Sequence, residues 1–533
     1  MAVSLSVGTG GRCVCEGYYG TIRFVGELQS TTGEWLGGEW DDPTRGKHNG
    51  SHEGIHYFTC SVPGSGSFIR PKKASFGDTF LTAVKKRYGH GLNIEEESEM
   101  YVMSEDGSQV TPVEMVGTEK IAKKQGDFSE LKEASLRGMD VCSAGPEGQL
   151  REIFQNLTHL DLSQNLLLSS WNVVAVMTNE LPHLTTLNLS ENIPLALCDI
   201  RGQSTVSFVS SLRTVYLNEM GLTWAKASKI LQMMPSGLEE LHLCKNQIDG
   251  FGSPDESKVL PSNLKLLNLE VNKLTNWSEV LKLTYLVSLR TLILNENRLP
   301  TVFFPCNADH TYFPALESLS LRMSGINSWS SVNAIATLHS LHELKFRNCP
   351  LVEDDPPLQV RQLIVARIEQ LTSLNGSAVT KQERQIAEWY YLNRYLTDWS
   401  KSCESDSSRQ EFASLHPRYA QLAKAYNLSE EAVKPDQHRA GGTALKDSLI
   451  SVTIQCPGHP EMKAVVKKLP AHMTVQNLKG LLQRLYKIDT SRQKVSYFDK
   501  RGEKEIEVEM SDDLKTLSFY SVVAGDTILL KWS

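Results

Sequence analysis

The sequence predicts a multidomain chain: a small all-β barrel, an α/β repeat solenoid and an α+β domain, in that order. Three observations carry this reading. Short aromatic runs broken by glycine fill residues 20–73, a leucine pattern recurs every 25 to 28 residues from Leu131, and strand-like runs flank a helical pattern after Leu449.

In the barrel, Thr21 to Gly26 and Gly33 to Asp41 read as strands, as do Tyr57 to Cys60 and Ser67 to Pro71, with glycine-rich turns between them. The most informative turn is Gly46-Lys47-His48-Asn49-Gly50, followed by Gly54 and the pair Tyr57-Phe58. Glycine lets the backbone turn tightly and approach a ligand closely. Lys47 held there can meet a carboxylate, and Trp35, Trp40, Tyr57, Phe58 and Phe68 are placed to wall an apolar slot beside it. Such a site suits an acidic peptide end with a terminal aromatic, a form of C-terminal carboxylate capture. Glycine-rich turns beside aromatics also occur in small β-domains that hold no ligand.

Four segments make the comparison specific: Gly33-Glu34-Trp35-Leu36-Gly37, the GKHNG turn, Gly54-Ile55-His56-Tyr57-Phe58 and Gly66-Ser67-Phe68-Ile69-Arg70-Pro71. Together they resemble the CAP-Gly domain over about the first ninety residues. The loop departs from that family twice, with His48 at its usual Asn and Asn49 at its usual Asp. The resemblance implies binding of acidic-aromatic C-terminal tails, those of α-tubulin and of similarly ended proteins. It implies a site of Trp35, Trp40, Lys47, His48, Asn49, Gly50, Tyr57, Phe58, Phe68 and Arg70. Lys47 would pair with carboxylate, His48 and Asn49 would hydrogen-bond the tail, and Trp35, Tyr57 and Phe68 would contact its last ring.

Charge agrees with an acidic ligand. Lys47, Arg70, Lys72, Lys73, Lys85, Lys86 and Arg87 face only Glu53 and Asp78 between positions 47 and 87, on a chain of net charge −7. A locally basic surface steers an acidic tail, most strongly at low salt. Nucleic acid is the rival partner for a basic run, but the run is short and the chain acidic. No nucleic-acid partner is expected.

At 533 residues the chain has room for two to four domains, and its 40% hydrophobic and 22% charged content is ordinary for a soluble protein. Met1 to Gly11 lacks the basic flank and apolar run of a signal peptide, and no stretch of about 20 apolar residues predicts a membrane span. Ten scattered cysteines, with only Cys13 and Cys15 close together, fit reduced thiols in a cytosolic protein better than a disulfide frame or a zinc site. Neither a metal nor another cofactor is expected.

The repeats follow at residues 126–352, after a linker at 91–125. L-x-x-L-x-L-x-x-N begins at Leu157, Leu184, Leu238, Leu264 and Leu289, and degenerate copies begin at Leu131, Leu212, Leu316 and Leu341. Nine copies predict a leucine-rich-repeat solenoid: one short strand and a return segment per copy, leucines stacked into a continuous core, and asparagine bonding the backbone of adjacent coils. Its concave face would carry Asp161, Asn188, Tyr216, His242, Asn268, Ile293, Ser320 and Lys345. Two residues on come Ser163, Ser190, Asn218, Cys244, Glu270, Asn295, Arg322 and Arg347. Arg322, Lys345 and Arg347 thus fall together as a basic end suited to an acidic partner surface, or to plain solvation. Residues 353–400 read as a helical cap, with the run Arg361 to Leu374 as its first helix. Residues 401–447 read as a linker with one short helix between Phe412 and Tyr426.

From 448 to 533, strand-like Leu449 to Ile454 and Ala464 to Leu469 precede a helix after the N-cap candidate Thr474. Strands near Val495 and Thr527 complete a β-β-α-β-β order, which resembles the ubiquitin-like β-grasp. The chain ends Lys531-Trp532-Ser533 without a glycine pair, so conjugation to other proteins is not expected and a docking module is.

No enzyme is expected. Gly8-Thr9-Gly10-Gly11 lacks the Lys-Ser/Thr of a phosphate loop, His52 and His56 are separated by Gly54, and no nucleophile motif stands out. In their order, the three modules closely resemble the tubulin-folding cofactor E (tubulin-specific chaperone E) family over the whole chain. That implies an ATP-independent, cytoplasmic, cytoskeleton-associated chaperone that receives α-tubulin by its tail and folded body. It would join β-tubulin and tubulin cofactors B, C and D in a complex that releases heterodimers on GTP hydrolysis by tubulin. It would also dissociate heterodimers, and its last domain would recruit a cofactor or the proteasome. The alternatives are a microtubule-associated scaffold and a ubiquitin-pathway adaptor.

Overall fold

The computed structural model describes residues 9–29, 31–89, 101–103, 110–112, 128–167, 171–192, 207–253, 258–305, 311–353, 355–403, 405–426, 449–459, 461–499, 506–520 and 522–532. The chain divides into two compact units, Met1–Asn297 and Arg298–Ser533, and the repeats contribute to both.

In the first unit, Arg12–Cys15, Tyr18–Glu27, Glu34–Trp40 and Gly66–Ile69 form an antiparallel sheet in that order. One face buries Cys13, Cys15, Ile22, Leu36, Trp40 and Ile69. Strict alternation would put Phe24 on the same face as Ile22. A bulge between them, with Ile22 opposite Gly38 and Phe24 opposite Gly37, turns Phe24 to the other side. The expected strand from Tyr57 to Cys60 does not form. Only Ser51–His52 and Ile55–His56 pair, and the following segment is held by Tyr57 and Phe58 amides donating to the Gly50 carbonyl at 2.9 and 3.4 Å.

The first ninety residues are not all barrel. Asp78–Thr79 adds in parallel to Val141–Ser143, and the helix Phe80–Tyr88 buries Phe80, Leu81, Ala83 and Val84. Phe80 meets Phe154 edge-on at 5.2 Å, the Tyr88 hydroxyl accepts from the Ser135 amide at 2.7 Å, and Tyr19 donates to Asp140 at 3.1 Å. This segment closes the open end of the first coil, as terminal caps of solenoids do. Of the expected linker 91–125, the described parts are Tyr101–Met103 and Val110–Pro112, which pair antiparallel.

Each of the nine expected copies places a strand two residues after its first leucine. Seven lie in the first unit: Glu133–Ser135, His159–Asp161, Thr186–Asn188, Thr214–Tyr216, Glu240–His242, Leu266–Asn268 and Thr291–Ile293, all parallel and in register. Their pattern leucines are buried, save half-buried Leu131, and the asparagines bond backbone of adjacent coils as expected: Asn165 accepts from Val141 N at 2.8 Å and donates to Leu136 O at 2.9 Å.

In the second unit Ser318–Ser320 and Glu343–Lys345 continue the pattern. The expected helix from Arg361 to Leu374 is shorter and earlier, at Pro357–Arg367. Leu371 and Leu374 instead begin a tenth coil, whose strand Ser373–Leu374 pairs with Glu343–Lys345 and turns back through Asn375-Gly376 to Ser377–Ala378. This coil starts 30 residues after Leu341, outside the 25–28 spacing of the others.

The span 401–447 is not simply a linker with one short helix. After Leu396–Ser402, a helix that ends at its border, the span holds two helices, Asp406–Leu415 and Tyr419–Ala425, and Tyr419, Leu422 and Ala423 are buried. Pro417 explains the break between the last two, since the residue before proline is driven out of the helical region. Residues 427–447 lie outside the described residues. At the break, buried His416 accepts from the Tyr391 hydroxyl at 2.9 Å and stacks on Phe412. Burial first, and then the charge of Arg367, push its pKa down to about 4, with Asp398 opposing. The unfolded chain takes up this proton below about pH 6.5, the folded chain only near 4, so His416 should withdraw stability as pH falls through that window. Urea denaturation of wild type and His416→Gln across pH 4–7 checks this; equal slopes would dispose of it.

The last domain has one strand more than expected. Val465–Pro470, Leu449–Gln455, Thr527–Trp532, Gln493–Asp499 and Ile506–Glu509 form the sheet in that order, with the helix Val475–Tyr486 against it. Thr474 caps the helix, accepting from the Asn477 amide. The domain does not hang free: Gln362 and Gln382 donate to the carbonyls of Phe519 and Glu509 at 3.0 Å, and Ile386 joins its core.

Candidate functional site

The GKHNG turn is clamped from both sides. Lys47 and His48 amides donate to Gly66 O at 2.7 and 3.1 Å, and Gly66 N returns a bond to His48 O at 2.9 Å. Gly46 lies so close to the next turn that a β-carbon there would fall 2.0 Å from Gly64 O. Gly50 has φ +86°, and a β-carbon there would fall 1.6 Å from Phe58 O. Both glycines are therefore demanded by close backbone approach. The clamp leaves Lys47 exposed at the tip.

His48 and Asn49 spend acceptors inside the loop. His48 Nδ1 accepts from the Gly50 amide at 3.0 Å and Asn49 Oδ1 from the Cys60 amide at 3.1 Å. That bond makes Nε2 the protonated nitrogen of a neutral His48. Burial, with His52 and Lys47 nearby, lowers its pKa and favours the neutral form.

Beside the loop, Trp35, Lys47, Ser67, Phe68, Ile69 and Arg70, with Glu16, Arg45 and Lys73, line a groove of about 280 Å³. Arg70 lies 3.8 Å over the Trp35 ring and donates to the carbonyls of Thr32 and Glu34, so its position is set before any ligand arrives. Arg45 and Lys73 share Glu16 at 3.2 and 3.4 Å. Four cations against one carboxylate leave the groove positive. Phe68 is its inner wall. On its other side pack Phe24, Tyr57, His48 and His52, with ring centroids 5.0–6.1 Å away.

The structure thus brings Trp35, Lys47, Phe68 and Arg70 together, with His48 and Tyr57 behind Phe68. It moves two expected wall residues elsewhere. Trp40 is 2% exposed and donates to Ser67 Oγ at 2.7 Å within the barrel core. Phe58 is 6% exposed and fills the space over Gly37, where a β-carbon would meet its ring at 2.3 Å. Arg45, Lys73, Glu16 and Phe24 join the site without having been expected there. The local signals were Arg45 two residues before Lys47, and Lys73 three residues after Arg70 and already within the basic run. Of the other basic residues, Lys86 pairs with Asp78 at 2.6 Å and Arg87 reaches Met139, both on the capping helix.

The repeats' concave face differs from its expected form. Ser163, Ser190, Asn268, Asn295 and Ser320 are buried, because ladder spacing lets short side chains pack between coils. Tyr216 stacks on His242 at 4.2 Å. Arg322 and Arg347 are exposed, each two residues beyond one of two paired strands, and Lys345 is half-buried. Among the described residues, no His, Cys, Asp or Glu cluster could hold a metal, and no helix is long and apolar enough to cross a membrane.

A curated protein from Xenopus laevis, tubulin-specific chaperone E, is 39% identical over 98% of both chains. The chain belongs to the tubulin-specific chaperone E family. Members from distant organisms align nearly end to end: tubulin-folding cofactor E of Arabidopsis thaliana is 32% identical over 96% of this chain and 94% of its own. Within this family member, residues 9–74 match the CAP-Gly domain and residues 449–530 the ubiquitin-like domain. The solved ubiquitin-like domain of mouse tubulin-specific chaperone E is 40% identical, covering 17% of this chain and 95% of that one at TM-score 0.16. The CAP-Gly match stops at residue 74, before the segment Asp78–Tyr88 that caps the repeats.

Proposed function

We propose that this chain is a tubulin-folding chaperone whose barrel groove captures the acidic-aromatic C-terminal tail of α-tubulin. The observation that carries the proposal is the groove itself, with Arg45, Lys47, Arg70 and Lys73 beside Trp35 and Phe68. Tail carboxylates would meet Lys47 and Arg70, the donor at His48 Nε2 would serve the chain terminus, and the last ring would lie against Phe68. The repeats would grip the folded body of α-tubulin, and joining two contacts in one chain raises effective concentration without new contacts. Partners in this reading are α-tubulin, β-tubulin and tubulin cofactors B, C and D. The activity is assembly, and in reverse dissociation, of the heterodimer, in the cytoplasm and at the cytoskeleton. It needs no catalytic residue and no cofactor; the ubiquitin-like domain would recruit a cofactor or the proteasome.

Calorimetric titration with two tail peptides, one ending in tyrosine and one lacking it, tests the groove. Burying one aromatic side chain stabilises by about 1.5–3 kcal/mol, so loss of the ring, or Phe68→Ala, should weaken binding by roughly ten- to a hundredfold. Equal affinity for the two peptides would rule out the aromatic slot. Raising the salt should weaken both, because Lys47 and Lys73 are exposed to solvent.

A further inference from the structure

Four segments of the second unit enclose a cavity of about 450 Å³: the helix Trp329–Ile335 with the turn after it, the end of Pro357–Arg367, Tyr391 of the helix Lys381–Arg394, and Pro417 to Gln421. Two arginines stand in its wall, and both serve the fold. Arg367 is 4% exposed and donates to Asn333 Oδ1 and to Leu415 O, each at 3.0 Å, the second at the end of Asp406–Leu415. It also lies 5.0 Å over the rings of Trp329 and Tyr391. Arg418 donates to Ala366 O at 2.6 Å and pairs with buried Glu388 at 2.9 Å.

Those bonds do not use up the guanidinium groups. The Nε of Arg367 and the Nε of Arg418 are both buried and donate no hydrogen bond. Arg367 Nη2 meets only His416 Nδ1, which is 3.4 Å away and already engaged by the Tyr391 hydroxyl at 2.9 Å. Nε and Nη2 carry the parallel pair of N–H groups with which arginine grips a carboxylate. Among the described residues no carboxylate pairs with Arg367. Glu388 is engaged by Arg418, and Glu369, 3.5 Å from Arg418, is 61% exposed. A buried charge without an anion is costly, and one carbonyl-rich helix end with two ring faces offsets it only in part.

We infer that this cavity binds a carboxylate, which supplies the counter-charge that Arg367 lacks. Its volume lies in the range of small-ligand sites, and its wall is of the matching kind, with apolar surface from Ala336, Pro417 and Tyr391 beside a few polar groups. One unanswered cation suits a single negative charge. A phosphate dianion would bring a second charge against Glu369, and like charges set side by side repel. Because both Nε atoms are covered, the bound carboxylate draws the Arg367 edge toward the cavity, at the loss of the long bond to His416. The carboxylate belongs to a small free acid or to an acidic side chain of a partner protein. The site lies in a different unit from the barrel groove and does not rest on the tail-binding reading.

Ligand-observed NMR titration tests this on the full chain carrying Lys47→Glu and Arg70→Glu, which silence the barrel groove. The probes are N-acetylphenylalanine, a free acid, and acetyl-Ala-Glu-Ala-amide, whose one carboxylate is a side chain. At least one should bind with a Kd of about 1 mM or tighter, and the tighter of the two names the source. N-acetylphenylalaninamide and inorganic phosphate should bind at least roughly tenfold more weakly. Gln421→Glu adds a like charge to the exposed wall and Thr337→Trp fills the mouth; each should weaken binding at least roughly tenfold with Tm unchanged. Arg367→Gln should abolish binding, but it also removes the bonds to Asn333 and Leu415, so the two wall variants decide. No binding by either acid, amide or phosphate binding as tight as the acid's, or undiminished binding by either wall variant would each overturn the inference.

Discussion

Asn246→Ala should destabilise the solenoid by about 3–5 kcal/mol, as much as removing a large core side chain, although it deletes only a small amide. Asn246 Oδ1 accepts from the amides of Met220 and Leu222 at 3.1 and 3.0 Å, and Nδ2 donates to Leu217 O and Leu243 O at 2.8 and 3.0 Å. Leu243 O keeps a second donor in Asn272, so three backbone groups lose their partner. Asn246 is 3% exposed, so water does not replace the lost bonds, and each buried orphan costs about 1–3 kcal/mol. Urea denaturation measures the loss. A change under about 1 kcal/mol would mean that the leucine stack alone holds the coil. Asn246→Asp keeps the acceptor, loses the donors and adds a charge, and should be no better tolerated than alanine.

Gly50→Ala should abolish the groove's grip on a tail peptide while Gly54→Ala barely changes it. Both glycines have positive φ, +86° and +80°, so both substitutions carry the left-handed penalty of about 1–2 kcal/mol. Only at Gly50 does the new β-carbon collide with backbone, at Phe58 O, while nothing lies within 4 Å at Gly54. The loop cannot slide away without breaking the bonds of Tyr57 and Phe58 amides to Gly50 O. The Lys47 tip and the Phe58–Phe68 packing should shift together, lowering peptide affinity by a hundredfold or more, an effect of about 3 kcal/mol. Peptide titration of the two variants, with thermal melts alongside, checks this. Equal behaviour would show that conformational freedom alone, not space, selects glycine in the turn.

The repeats were legible because three leucines and an asparagine sit at fixed offsets in each coil, and each offset has one physical job. The tenth coil escaped because only Leu371 and Leu374 remain of the pattern, with Gly376 and Val379 at the places of the third leucine and the asparagine, after a longer return helix. In the groove, the residues carried by one contiguous motif were legible: Lys47, and Phe68 with Arg70. Arg45 and Lys73 flank those motifs by two and three residues, while Glu16 comes from a distant turn that only the closed barrel brings to them. Face assignment failed where alternation fails. The bulge at Ile22/Phe24 inverts which side Phe24 takes, and bare Gly37 admits Phe58 into what looked like an open wall. His48 and Asn49 were legible as polar, but their hydrogen-bond partners within the loop were not.

The segment that ties barrel to repeats decides how this chain can be dissected. A cut at residue 90, the natural edge by sequence, takes away Phe80, Leu81 and Val84 and bares Phe154 and the end of the first coil. A protein shortened there would lose client capture through an opened hydrophobic end, even if the barrel had never touched the client. Division just before Gly77 keeps the lid with the repeats it covers. Deletion at residue 90 and substitution within the groove thus ask different questions, and only the second is a question about the tail.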